Sequence, residues 1–486
     1  VSRSRGKHRR QAAAGRARTS REASRTAADD AQPIPLTPLT RRLWLQAAAA
    51  LALLTGLFAW TAAPTIHVGD SPEFAATAAL FGVPHPPGYP LYTLVTALSV
   101  HVLAWVDPAH ASNIMSGVYA AAAAALALLL LARLGLPSPA CWLGALCLAL
   151  GRTLWSQAVV AEVYTFDALL LLLLLHATLT LLARPAARTW LLWGLCLGLW
   201  GGHRMVNVIY LPAVLVLLWS LRVGRGLKVH PAPLVAGGAL SLLPVAYLPL
   251  ASAMNPYVDN GDPQTPTMLW QVLTASPYRG LLGGGTLEVA VRRVWLFVSA
   301  LPVEAGVAAP LALVGVWRLA RQGRAQRLLL AALVMLLLAG VIFTAAYAIL
   351  DYDAYLIPAT AAVCLLGALG AGALLQWAGA GWRRRALEAG LVALSLAGLP
   401  LSWRHDDLRG QDQIHRTALD VLASVDPRGL LFVHGDTPST ALDYVQGVEG
   451  RSPEVIAIRL GNIHPWYLRE LQTRFPDEPW PEFEPG

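Results

Sequence analysis

Between Ala158 and Ala183 the chain runs for 26 residues with charge only at Glu162 and Asp167, and it includes seven consecutive leucines, Leu169 to Leu175. About 20 predominantly apolar residues suffice to cross a bilayer as a helix. Similar stretches recur along the 486 residues, of which 56% are hydrophobic and 14% charged, with a mean hydropathy of +0.50. A soluble protein carries about 25% charged residues. An ordinary soluble globular fold is excluded, and the expectation is an all-α, polytopic membrane protein.

Charge is distributed unevenly. Residues 1–42 hold 11 of the 37 Lys and Arg and 3 of the 29 Asp and Glu, so the net charge of +8 resides in that tail. Its Arg, Ala and Ser content predicts a disordered cytoplasmic arm beside anionic lipid. No aromatic residue precedes Trp44, which argues against nucleic-acid binding. The apolar run Leu43 to Ala62 lacks a convincing small-residue cleavage site, so it is expected to remain as the first membrane helix. Cys141, Cys147, Cys196 and Cys364 lie in apolar segments without metal-ligand spacing, and neither zinc nor disulfides are implied. Lysine occurs only at positions 7 and 228, so binding a phosphate would fall to arginine.

Cytoplasmic loops are enriched in Lys and Arg. Placing the clusters at 41–42, 184–188, 222–228, 318–327 and 383–385 inside predicts helices near 189–202, 205–220, 232–251, 294–317, 328–350, 356–379 and 386–403. Before Arg184 the apolar segments 88–106, 113–134, 139–150 and 158–183 exceed by one the number that parity allows. Either 88–106 or 139–150 is then re-entrant, giving about ten or eleven spans. Outer loops are expected at 63–87 and 252–293, within a membrane domain at 43–403. Residues 404–486 read as a small exported α/β domain, with strands around Leu430 to Asp436 and Glu454 to Leu460 flanking a helix from Ser439 to Val448.

Ionisable residues near a membrane are functional candidates, and this topology gathers them at one face: Asp70, Glu73, His85, Gln157, Glu162, His203, Arg204, Asp259, Asp262, Arg279, Asp351 and Asp353. Each also has a structural explanation. Asp70-Ser71-Pro72-Glu73 has the spacing of a helix capping box, Glu162 that of a solvated helix end, and Asp259 and Asp262 sit among turn residues. Arg204 beside Gly201-Gly202 has the position of a snorkelling side chain.

The strings GDSPEFAATAALFGVPHPPGYPLYTLVTAL (69–98), LWSQAVVAEVYTFDALLL (154–171), YLPLASAMNPYVDNGDPQT (247–265) and AYAILDYDAYLIPAT (346–360) together resemble the transmembrane protein 260 family, over roughly residues 43 to 450. These are protein O-mannosyltransferase-like members of the GT-C superfamily. One departure is Pro72, where the family commonly has Gly; proline suits a first helical turn and leaves the carboxylates in place.

The resemblance implies a GT-C-like membrane glycosyltransferase that takes a sugar, mannose or another hexose, from a polyprenyl-phosphate carrier. It passes the sugar, with inversion, to an acceptor hydroxyl, protein Ser/Thr before a glycolipid or cell-wall glycan. Asp70 matches the position of the family's catalytic acidic residue and is expected as base, with Glu73 on the same helix face. Arg204 and Arg279, then His203 and His85, are the candidates for the donor phosphate, because guanidinium groups bind phosphate oxygens in a bidentate manner. Tyr89, Tyr92, Trp155, Gln157, Glu162, Tyr164, Asp262 and Asp353 are candidates for the substrate groove, although interfacial aromatic belts explain the rings as well. No metal or cofactor is expected, a divalent cation remaining open. The implied partners are the lipid-linked sugar, membrane lipids and an exported protein or glycan acceptor. The implied location is a bacterial cytoplasmic membrane with the site facing outward. A secondary transporter is the rival class, disfavoured because no internal repeat is visible and the acids gather at one face.

Overall fold

A computed structural model of the protein describes residues 34–222, 228–284, 286–349 and 351–480. Positions 1–33 of the expected basic arm, part of the 222–228 cluster and the last six positions lie outside the described residues. The membrane part comprises α1 (Arg41–Thr61), α2 (Ser71–Leu80), α3 (Pro90–Val102), α4 (Pro108–Arg133), α5 (Ser138–Ala149), α6 (Arg152–Ala158), α7 (Tyr164–Ala183), α8 (Ala187–His203), α9 (Leu211–Arg222), α10 (Pro231–Leu240), α11 (Tyr247–Ser252), α12 (Pro266–Leu273), α13 (Leu287–Glu304), α14 (Ala308–Ala320), α15 (Arg324–Ala346), α16 (Ile357–Trp377), α17 (Trp382–Ser395) and α18 (Leu399–Asp406). The C-terminal unit comprises α19 (Gln413–Ala423), β1 (Leu430–Val433), α20 (Asp436–Asp443), β2 (Ile456–Arg459) and α21 (Pro465–Arg474).

The chain is an integral membrane protein with multiple spans. Among the described residues, seven helical stretches are long and apolar enough to cross a bilayer: α1, α4, α7, 231–252, α15, 352–377 and 382–406. An eighth exists only if α13 and α14, bent by 103°, count as one. This corrects the expectation of ten or eleven. Helix α3 has 13 residues and α5 has 12, so at 1.5 Å per residue each covers about 20 Å of a hydrocarbon layer about 30 Å thick. Both segments left open as re-entrant are therefore short. The span expected near 294–317 is broken between Glu304 and Ala308, where Gly306 adopts a φ of 50°.

Stretch 352–377 is the innermost, wholly buried over its apolar window, with α4 and α7 beside it, while α1 and 382–406 are largely uncovered. In lipid, helices associate through close packing more than through the hydrophobic effect. Glycines supply that closeness between α14 and α16: a Cβ on Gly370 would lie 2.0 Å from the Leu311 carbonyl oxygen, and one on Gly315 would lie 2.1 Å from that of Leu366.

At the C-terminus, β1 and β2 pair in parallel, Leu430 opposite Ile456 and Val433 opposite Arg459, with α20 as the crossover. The strand, helix, strand order expected there is present. This unit rests on the loops of the membrane part. The Tyr444 hydroxyl donates to Asp107 Oδ2 (3.0 Å) and accepts from the Ala109 amide (3.1 Å). Arg474 stacks 3.6 Å from the Tyr257 ring centre and donates to the Tyr257 carbonyl (2.6 Å).

Candidate active site

Helix α2 begins at Ser71-Pro72, with Asp70 at its N-cap position. A capping residue normally has extended backbone, from which its side chain reaches the free amides of the first turn. Asp70 instead has φ −87° and ψ −1°, and its carboxylate caps nothing. Glu73 does not close a capping box either. Its Oε1 accepts from the His85 amide (2.7 Å) and from Asn260 Nδ2 (2.5 Å), and its Oε2 meets His85 Nδ1 at 2.6 Å. The capping-box explanation of this motif is replaced by a buried carboxylate, 4% exposed, that orients a histidine.

His85 stands in the Pro84-to-Pro90 segment, and its Nε2 faces Asp70 Oδ2 at 3.8 Å. Asn260 arrives from the loop after α11, where its amide donates to the Val83 carbonyl (3.0 Å) and the Val83 amide donates to that of Val258 (2.8 Å). Two loops far apart in sequence are thereby clamped on either side of Glu73. Glu162, between α6 and α7, is 7% exposed and its Oε2 has no hydrogen-bond partner among the described residues. Its Oε1 lies 3.5 Å from where a Cβ on Gly69 would stand, which sets it beside Asp70.

A cation lies under this acidic group. Arg204, at the end of α8, is buried between the rings of Tyr355 (4.1 Å) and Tyr164 (4.5 Å), with Asp167 Oδ2 at 3.6 Å. Asp167 also accepts from Asn207 Nδ2 (2.7 Å), and Tyr164 donates to Asp351 Oδ2 (3.0 Å). The Tyr89 ring bridges the two histidines edge to face, 5.4 Å from His85 and 5.5 Å from His203.

Burial raises the Asp70 carboxyl to about 6; His85 pulls it down, while Glu73, Asp351 and Asp436 push it up. For His85, burial opposes protonation, but the charges of Glu73 and Asp70 outweigh it and hold the imidazolium up to about 10. Burial, with Asp70 and Asp351 nearby, also raises Glu162 well above the ordinary carboxylate range. Asp70, Glu73 and His85 present ligand atoms within 4.8 Å of one another, a set that can hold a divalent cation. The cation would have to displace the proton that two carboxylates keep on His85.

Residues 70–225 match the family model described as the Protein O-mannosyl-transferase TMEM260 N-terminal domain. Over that third of its length the chain is similar to the TMEM260 family. It is 24% identical to Protein O-mannosyl-transferase TMEM260 of Mus musculus over 89% of its own length, and it spans 65% of that relative. In fold it is similar to ArnT from Cupriavidus metallidurans, solved bound to undecaprenyl phosphate: TM-score 0.59, 12% identity, 90% of this chain and 89% of that chain covered.

Of the residues picked out in the sequence, Asp70, Glu73, His85, Tyr89, Glu162, Tyr164, His203 and Arg204 are brought together. Tyr92 and Trp155 are instead fully buried: Tyr92 packs on Phe74, Tyr119 and Phe166, and Trp155 packs on Phe58 and Trp403 while donating to Thr61 Oγ1 (3.2 Å). They offer no free face to a ligand. Asp262 is engaged by Arg469 (2.8 Å) and Ser252 (3.2 Å), tying the loop to α21. Asp353 accepts from the adjacent Ala354 amide (3.1 Å), and Arg279 is exposed next to Tyr278, whose ring approaches His85. Gln157 is half-buried one turn before Glu162.

Asn260, Asp167, Tyr355 and Thr437 escape a reading of the sequence. The first two stand inside the motifs 247–265 and 154–171, but neutral Asn in a turn and Asp near a helix start carry no signal of their own. Thr437 matters only through its contact with Gly69, 368 positions earlier.

Proposed function

We propose that this chain moves a hexose, mannose foremost, from a polyprenyl-phosphate carrier to a Ser/Thr hydroxyl of an exported protein, with inversion and with Asp70 as general base. The observation that carries the reading is the Asp70 carboxylate itself. It is released from helix capping, half-open to solvent, held beside an imidazolium and raised to about 6. A base titrating near the working pH combines sufficient ionisation with sufficient basicity. The O-mannosyl-transferase activity that names the Mus musculus relative and the undecaprenyl phosphate bound to ArnT support the sugar and carrier classes.

In this mechanism the acceptor O–H gives its proton to Asp70 as its oxygen attacks the anomeric carbon, and the carrier phosphate leaves from the opposite face. Arg204 receives the developing phosphate charge, its guanidinium plane already fixed between two tyrosines. His85 stays protonated and steadies the Asp70 anion, while Glu73 positions the ring of His85.

Mass spectrometry of exported proteins from cells carrying the wild type, the Asp70→Asn variant or no copy tests the reading. Hexose on Ser/Thr peptides is expected only with the wild type, since losing a general base costs about 10²- to 10⁴-fold in rate. Normal glycopeptides from cells expressing Asp70→Asn alone would defeat the assignment.

A further inference from the structure

The C-terminal unit does more than rest on the membrane part. The Gly69 amide donates to Thr437 Oγ1 at 3.0 Å, and the Thr437 hydroxyl returns to the Gly69 carbonyl at 3.4 Å. Thr437 belongs to the first turn of α20, directly after β1, where Gly435 takes a φ of 97° to turn the chain. Asp436 precedes Thr437 and Asp70 follows Gly69, so this reciprocal contact brings the two acids near enough for the Asp436 charge to raise the Asp70 carboxyl. Ala75 and Ala76 of α2 share a buried cluster with Ala441, Leu442, Tyr444 and Val445, so the turn is backed by a packed surface. The Tyr278 ring stands edge to face with that of His85, 6.3 Å between centres.

The charge around the opening is one-sided. Asp351 and Asp436 are exposed and Asp70 is half-open; of the cations, His85 is paired with Glu73, Arg204 is buried between two tyrosines where the proposed mechanism uses it for the donor phosphate, and Arg279 is exposed beside Tyr278. An acidic rim favours an approaching cation and disfavours an anion.

The geometry points to the β1–α20 turn as the acceptor-side wall of the Asp70 site, with Asp436 as a specificity-determining residue that selects polypeptide acceptors bearing a cationic side chain beside the attacking hydroxyl. The inference rests on the function proposed above and adds the acceptor's chemistry to it. A neutral glycan offers this rim hydrogen bonds but no charge; a Lys or Arg neighbour offers both.

The test uses the full chain in lipid nanodiscs with a polyprenyl-phosphate hexose and three synthetic Ser/Thr peptides that differ only in Lys, Gly or Glu next to the acceptor. The quantity read is the ratio of kcat/KM for the Lys peptide to that for the Glu peptide, which does not depend on the fraction of folded enzyme. Wild type is expected to prefer Lys. Asp436→Asn should shrink the ratio by about two- to five-fold, the range of an exposed ion pair, and Asp436→Lys should shrink it further or invert it. The change should lie in KM more than in kcat. Equal use of the peptides by wild type, a ratio unaffected by both substitutions, or transfer to glycans and never to peptides would each overturn the inference. Turnover of the donor to water, measured without acceptor, separates the two readings. If the donor turns over and charge preference is absent, only the role of Asp436 fails. If the donor never turns over, the proposed function fails and this inference with it.

Discussion

Replacing Glu73 by Gln removes the charge that does most to keep His85 protonated, while preserving side-chain volume and an oxygen for the His85 and Asn260 donors. The rise of His85 from 6.5 to about 10 is worth about 5 kcal/mol, and Glu73 is its largest favourable source. Without that charge only Asp70 and Glu162 remain to oppose burial, and His85 falls below about 10. Asp70 then keeps the cation that restrains its own pKa only up to that lower pH.

The pH profile of sugar transfer should change shape accordingly. For wild type, the acid limb falls as Asp70 protonates below about 6, and the alkaline limb falls as His85 deprotonates near 10. In Glu73→Gln the alkaline limb moves down toward neutrality, narrowing the bell. Stability follows the same linkage. A histidine raised above its unfolded value contributes stability that is fully present below 6.5 and is lost as pH climbs through about 10. Wild-type thermal stability should therefore decline across that window, and the decline should flatten in the variant. Kinetics on a polyprenyl-phosphate hexose at closely spaced pH values, beside thermal unfolding of the same samples, measure both. A variant slowed equally at every pH, with both limbs where wild type has them, would refute the claim that Glu73 acts through His85.

Arg204→Lys keeps the charge but not the planar fork, so the donor's KM should rise by about ten- to a hundred-fold, the worth of a charge-assisted hydrogen bond, and unaltered donor saturation would remove Arg204 from phosphate binding. Gly370→Ala forces a methyl into the Leu311 carbonyl 2.0 Å away and should cost about 1–3 kcal/mol, seen as a lower unfolding temperature in detergent; an unshifted transition would contradict the close α14–α16 contact.

What could be read from the sequence follows the range of the physics involved. Long apolar runs are decided by local composition, so α1, α4, α7, α15 and α16 stand close to where hydropathy puts them. The α/β order after residue 430 is equally local. Whether a short apolar helix crosses or merely embeds depends on what its neighbours cover, and the expected count is too high at 88–106, 139–150, 189–202 and 205–220, whose helices are all shorter than 18 residues. The site splits in the same way. Asp70 and Glu73 announce themselves as acids after a membrane helix, but the same spacing fits a capping box, and only the backbone angle at Asp70 and the donors on Glu73 separate the alternatives. Trp155 and Tyr92 look like groove residues because tryptophan and tyrosine are common at interfaces; their burial is a property of the packed bundle.

The matched family domain ends at residue 225, yet the groups that fix its acids come from beyond it. Asn260 supplies one of the hydrogen bonds on Glu73, Tyr355 one of the faces that hold Arg204, Asp351 the acceptor for Tyr164, and Thr437 the contact on Gly69. Each is a single bond or ring face, and none would hold a side chain against thermal motion if the others were loose. The clamp between Val83 and Asn260, the Tyr444 bond to Asp107 and the Arg469 bond to Asp262 make them mutually supporting. Placement of reacting groups to within a fraction of an ångström depends on such support. Residues 70–225 therefore carry the acids proposed for the reaction but only part of what aims them. The geometry at Asp70 belongs to the membrane bundle, the 252–265 loop and the C-terminal unit together.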